Sequence, residues 1–222
     1  MSIITSFPSA LPELNDLLLG TKIKEEGNIT RNFRIGEVLA LMGDTGLTPA
    51  SVNYGLFSQT EDSQDITNTT TERTLSRNGV GSQIIAADTL IVGDSFNIKA
   101  MGNISCLAAT VLTIRVATSD GIILGTTGPI TMAAATGKTW SFNANMTIRE
   151  IGAAGTADII TGGEFVYIKN SNANAETLPF LTNNTTTFDT TIPNNIIVTA
   201  KWTTASTSNS IYSNIYNFTK TY

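Results

Sequence analysis

The stretch TWSFNANMTI (139–148) decides the fold class. Trp140, Phe142, Ala144, Met146 and Ile148 fall on one side of an extended chain, and Ser141, Asn143, Asn145 and Thr147 on the other. A period of two marks a half-buried antiparallel strand, because successive side chains of a strand point to opposite faces. The same reading extends outward. VLTIRVAT (111–118) puts Leu112, Ile114 and Val116 inward, with Thr113 and Arg115 outward. NNIIVTAKWTT (194–204) alternates Ile196, Val198, Ala200 and Trp202 against Ile197, Thr199, Lys201 and Thr203. SDG (119–121) between two apolar runs predicts a hairpin with both turn positions at positive φ.

Further runs are GVGSQIIA (79–86), SFNIKAMGNIS (95–105), ADIITGGEFVYIKN (157–170) and NSIYSNIYNFTKTY (209–222). Gly162-Gly163 predicts a break or a bulge in its run. No segment of 54–222 carries a helical period. The expectation is a mostly β protein: an antiparallel, jelly-roll-like β-sandwich of about eight to ten strands, with a small N-terminal segment.

That segment differs in texture. Residues 1–50 hold three of the six prolines and a cluster of charge. Breakers at Gly43, Gly46 and Pro49 mark a linker reaching residue 53, so residues 54–222 form the main domain. In LPELNDLLLG (11–20), Leu11, Leu14, Leu17 and Leu18 share one face of a short helical turn, and EEGN (25–28) reads as a turn. FRIGEVLALMG (33–43) brings Phe33, Ile35, Val38, Leu39 and Met42 together, extended at first and then helical. About 50 residues with so few aromatics make a poor core alone. Leu14, Leu17, Leu18, Phe33, Ile35, Val38 and Leu39 are therefore expected to pack on the main domain, on identical copies or on a partner.

Composition excludes several function classes. At 222 residues the chain is long enough to bury roughly 70% of its unfolded surface. A formal charge of −5 argues against a nucleic-acid binder, which needs clustered Lys and Arg. Zero histidines remove the commonest general base and metal ligand. A single cysteine, Cys106, forms no internal disulfide and reads as a small buried hydrophobe. Thr, Asn and Ser make up roughly a third of the chain, which solvates a surface without charge. Hydrophobic residues at 41%, set in patterned runs, exclude disorder. The opening MSIITSFPSALPEL has neither a basic region nor a long apolar run, so no signal and no membrane insertion are expected.

Motifs carry little chemistry. GKT (137–139) lacks the upstream glycine of a phosphate loop, since position 132 is Met132, and it leads into a strand. GVGS (79–82) and GAAG (152–155) read as turn glycines. Glu61, Asp62, Asp65, Glu150, Asp158, Glu164 and Asp189 offer carboxylates, but no spacing fixes an acid–base pair. EDSQD (61–65) lacks the glycine and terminal Glu of a calcium loop. Seven Asn-x-Ser/Thr triplets, at Asn28, Asn68, Asn103, Asn145, Asn183, Asn184 and Asn217, follow from composition. No catalytic, cofactor-binding or metal-binding residue is assigned. Tyr212, Tyr216 and Tyr222 crowd into the last eleven residues and suggest the rim of a closing strand or a subunit contact.

The chain from Tyr54 onward resembles a C-terminal module of tailed-phage structural proteins: head fibres, decoration proteins and tail-fibre-like proteins, including those of crAss-like phages. The likeness rests on GLFSQTEDSQDITNTTTERTL (55–75), GVGS (79–82), ADTLIVGDSFNIKAMGNISC (87–106), TIREIGAAGTADIITGGEFVY (147–167) and residues 186–222. It covers about three quarters of the chain, and the order of these blocks is its specific part. DLLLGTKIKEEGNITRNFRIGEVL (16–39) resembles a second phage segment, which attaches fibres or organises trimers. The resemblance implies a homotrimeric, non-enzymatic protein of the virion surface, made in the host cytoplasm. Residues 1–50 would dock on capsid, neck or tail proteins, and the jelly-roll head would decorate the particle or adhere to host or mucus glycans. This chain departs from long fibres in having almost no shaft. The alternatives are a capsid or neck cement protein without ligand, and a carbohydrate-binding or carbohydrate-active β-sandwich.

Overall fold

The computed structural model describes residues 17–22, 29–34, 54–171 and 174–222. The chain divides into two compact units, Met1–Ser51 and Val52–Tyr222.

In the first unit, β1 (Leu17–Lys22) and β2 (Ile29–Arg34) form an antiparallel pair. Residues 17–20 are therefore extended, not helical. Cross-strand pairing with ITRNFR, a run with two Thr/Ile positions and an aromatic, outweighs the local leucine spacing. The register sets Leu18 opposite Phe33 and Leu17 opposite Arg34. Leu14, Ile35, Val38, Leu39, the EEGN turn and residues 35–53 lie outside the described residues.

The second unit is all β among its described residues. Its strands are β3 (Tyr54–Gln59), β4 (Arg73–Thr74), β5 (Gly79–Gly81), β6 (Ile84–Ile85), β7 (Ser95–Cys106), β8 (Val111–Thr118), β9 (Ile123–Thr126) and β10 (Ile130–Thr131). There follow β11 (Ala135–Glu150), β12 (Asp158–Ile168), β13 (Ala175–Asn184), β14 (Asn194–Trp202) and β15 (Ser210–Lys220). The large sheet runs β13-β12-β11-β7-β15-β3-β5; the small one runs β10-β8-β14-β4, with β9 on β8 and β6 on β14.

This order is a jelly roll. The first strand of the domain pairs with the last, β3 with β15, and β4 pairs with the last but one, β14. Inside that outer pair, β7 and β11 join the large sheet while β8, β9 and β10 stay in the small one. The chain is thus a two-stranded ribbon rolled across both faces of one core. The strand number exceeds the eight to ten expected. The excess comes from two-residue strands at the edges and from the β12–β13 hairpin, which widens the large sheet beyond β11. Pro179 lies in β13, the outermost strand, where a missing N–H is tolerated.

The core lies between the sheets, and the alternations set it. Trp140, Phe142, Ala144, Met146 and Ile148 are all buried, facing Leu112, Ile114, Val116, Ile196, Val198, Ala200 and Trp202 of the small sheet. Stacked pairs Phe96–Phe218 and Phe142–Phe180 fill it. The indole of Trp202 donates to the Ile66 carbonyl at 2.9 Å, which ties the 60–72 segment down.

Four local expectations are corrected. Thr113 and Thr199, read as outward, are buried: Thr199 Oγ1 donates to Glu72 at 2.5 Å, and Glu72 also pairs with Arg115, so loop residues cover that outer face. At 119–121 only Gly121 has positive φ; its N–H donates to Thr118 O and the Thr118 N–H donates to Ile122 O, giving a tight turn with a glycine bulge, while a separate register shift leaves Leu124 as the extra residue of β9. Gly162-Gly163 neither breaks nor bulges β12, which stays in register with β11 across both positions. GVGS is not a turn, since Gly79–Gly81 is the edge strand β5, whereas Gly137 of GKT sits in a bulge of β11.

Candidate binding face on the large sheet

The outward side chains of the large sheet form a face that in-register pairing organises into rows. One row runs Asn145, Asn97, Thr219; the next runs Asn143, Lys99, Asn217, Ser58. They arise because β7, β11 and β15 each place polar residues at every second position opposite their core residues. The rows floor a groove of about 700 Å³, walled on the β3–β5 side by Gly55, Phe57, Val80 and Gly81.

Hydrogen bonds hold the amides in place. Asn97 Nδ2 donates to Asn143 Oδ1 at 2.8 Å and to Asn145 Oδ1 at 2.9 Å. Ser58 Oγ donates to Asn217 Oδ1 at 2.9 Å. Each of these three acceptor oxygens is engaged, so the NH₂ groups of Asn143, Asn145 and Asn217 are left turned away from those contacts. Lys99 is exposed in the middle of its row and pairs with no carboxylate among the described residues. One step along the sheet, Met101 and Ile215 stand side by side and exposed.

The expected site residues are dispersed. Tyr216 is fully buried in the domain's own core, edge-on to Phe57, so it offers no surface for a subunit contact. Its position follows from the bulge between Ser213 and Ile215, which returns Tyr216 to the inner side. Tyr212 is half-buried beside Asn103, and Tyr222 is 69% exposed near Gly93. Leu17, Leu18 and Phe33 lie on β1 and β2.

Three of the candidate carboxylates have structural partners, whereas Asp62 is exposed in its loop and Glu164 is exposed on β12 beside Asn143, just outside the groove lining. Glu61 lies 3.7 Å from Arg77, Asp65 accepts from Ser210, and Asp189 accepts from Thr191 N–H and hydroxyl, which hold its carboxyl below the usual range. Glu150 and Asp158 face each other at the loop end of the β11–β12 hairpin. In EDSQD, Ser63 is buried and accepts from Ser213 N–H at 2.9 Å, which pins the segment to β15. Among the described residues, no group of three or more His, Cys, Asp or Glu is placed to hold a metal ion. Cys106 is buried, and burial pushes its thiol pKa up.

Asn97, Lys99, Asn143, Asn145 and Asn217 were not singled out by sequence reasoning as a site. Their alternation was legible, but their alignment depends on register between strands far apart in sequence. No protein-family model, curated protein or solved structure matches this chain.

Proposed function

We propose that this chain is a structural protein of a tailed-phage particle: a homotrimeric head-fibre or decoration protein, docked on capsid, neck or tail proteins through residues 1–50. Its jelly-roll domain then stands exposed on the virion surface and adheres to host or mucus glycans. The observation that carries this reading is the unequal character of the domain's two ends. The chain enters at Tyr54, beside Lys220, and at that end lie Ile84, Ile91, Val92, Ile123, Ile151, Ile192 and Tyr222. They are seven of the twelve large apolar side chains exposed among the described residues. The opposite end is built from the Thr-, Ser- and Asn-rich loops 60–72 and 203–209, with Leu107. Apolar exposure at one end of a sandwich supports burial there against other chains. A polar opposite end, with the exposed carboxylates Glu61, Asp62 and Asp65 among its hydroxyl and amide side chains, supports exposure to solvent. A symmetric trimer would cover the apolar end of three domains at once.

The test is the solution mass of the full chain by light scattering after size exclusion, with Ile91→Lys and Ile151→Lys as variants. The expected mass is about 71 kDa, three times the 23.6 kDa chain, falling toward the monomer in the variants. A monomer at micromolar concentration, or a trimer indifferent to both lysines, would count against the reading. Deleting the gene and scoring adsorption separately from capsid stability distinguishes adhesion from a cement role.

A further inference from the structure

We propose that the groove on the large sheet binds an acidic saccharide, with Lys99 taking the sugar carboxylate. The inference rests on the adhesive reading above and gives that adhesion a site and a ligand class.

The groove presents donors. Asn143 and Asn217 flank Lys99 in one row, and Asn145 lies in the next, each with its amide NH₂ free of hydrogen bonds to the other described residues. Their orientation is set before any ligand arrives, because Asn97 and Ser58 already occupy the three amide oxygens. Preorganised donors lose little freedom on binding. Only Asn97 Oδ1 faces this set as an unengaged amide acceptor, suited to one hydroxyl. An array of donors around one cation fits a ligand rich in acceptors and carrying an anion.

The other ligand classes fit less well. A nucleic acid needs cations along its track, and Lys99 is the one charged residue lining this groove. A peptide strand adds at a sheet edge through free backbone groups. Here the floor is β11, β7 and β15, whose backbones already pair with their neighbours. A lipid chain needs an apolar trough, and this floor is amide and hydroxyl. Strands lie about 4.8 Å apart, close to the span of one pyranose ring, so a sugar chain running across the strands meets one polar side chain per residue. Met101 and Ile215, one row along, offer an apolar platform to the C–H face of a ring.

The experiment measures binding of the full chain to 3′-sialyllactose and trigalacturonate by calorimetry, against the methyl ester of each as its uncharged counterpart. At least one acidic probe is expected to bind about tenfold or more tightly than its counterpart, as one charge-assisted hydrogen bond allows. Lys99→Gln should remove that preference, and Asn143→Ala with Asn217→Ala should weaken binding about tenfold. All three residues are on the outer face, so the melting temperature should stay within about 2 °C of the parent chain. The Lys99→Arg variant should keep the preference. The proposal is overturned by equal binding of acidic and neutral probes, by binding indifferent to these substitutions, or by no binding of any probe. The mass of the same sample separates the two readings. A trimer that binds no saccharide sinks the groove alone, and a monomer with Lys99-dependent binding sinks the trimeric fibre alone.

Discussion

Gly163→Ala tests how the large sheet is packed. Gly163 stands in β12 opposite Ala144 of β11. A Cβ there would run into the Asn143 carbonyl oxygen and lie 2.8 Å from the Ala144 Cα. Both obstacles are backbone of the strand that carries the central core alternation, so neither yields without prising β11 from β12. Overpacking of this kind costs about 3 kcal/mol at the upper end of its usual range. Alanine also lowers the entropy of the unfolded chain, which offsets about 0.7 kcal/mol. The net loss is about 2 kcal/mol, or about 4–8 °C of melting temperature for a domain this size. Gly55→Ala is the matched control, with the same chemistry in β3 and nothing within 4 Å of the new Cβ. It should leave the melting temperature unchanged or raise it by a degree or two. The assay is thermal unfolding followed by circular dichroism on both variants. Equal shifts, or a Gly163→Ala variant within about 1 °C of the parent, would refute the close approach of β11 and β12.

Three further outcomes follow from buried contacts. Glu72→Ala removes the partner of both Arg115 and Thr199 and should cost about 1.5–3 kcal/mol in urea unfolding, more than Glu61→Ala, whose contact with Arg77 is exposed. Cys106, buried with a raised thiol pKa, should react with a disulfide reagent at neutral pH only after denaturant is added, whereas a reactive native thiol would contradict its burial. The Tyr167 hydroxyl, buried and donating to Glu176, is pushed up to about 12, and burial raises Tyr216 as well. The folded state then keeps protons that the unfolded chain releases from pH about 10, so stability should fall as pH rises from there toward 12. Phenolate absorbance should show these two tyrosines titrating together with unfolding, and early titration of all five would count against it.

The fold class was legible in the sequence because strand periodicity is local. Trp140 through Ile148 declared their two faces without reference to any other strand, and the structure buries the five apolar members. Where the outer face is covered from elsewhere, local reading misplaced residues: Thr199 is buried because Glu72, 127 residues away, reaches over it. Gly162-Gly163 misled for a related reason. Glycine in a strand signals either a bulge or a close neighbour, and only the β11 partner shows which. The bulge at Ser213–Ile215 shifted Tyr216 inward by one residue, which strict alternation from Tyr212 does not reveal. The amide groove was the least legible part, since Asn97, Asn143 and Asn217 become neighbours only through two registers spanning most of the domain.

The two surface features make separable demands on the domain, and their placement lets both be met. The apolar side chains sit on loops and at the short strands β6 and β9, where strands reverse at the Tyr54 end, whereas the amide rows sit on long strands within the face of the large sheet. Loops tolerate exchange, so an apolar end can be shaped to a neighbour without disturbing the ladder. The rows depend on strand register, which the buried alternation of β7, β11 and β15 enforces, because a one-residue slip would turn every amide into the core. The residues that make the core therefore also align the groove. Weak surface charge is consistent with this division. With one cation and no carboxylate lining the groove, the proposed recognition would depend on short-range hydrogen bonds rather than long-range steering. Affinity for a single sugar chain would then be modest, and the three copies of the proposed trimer would raise it through avidity without any new contact.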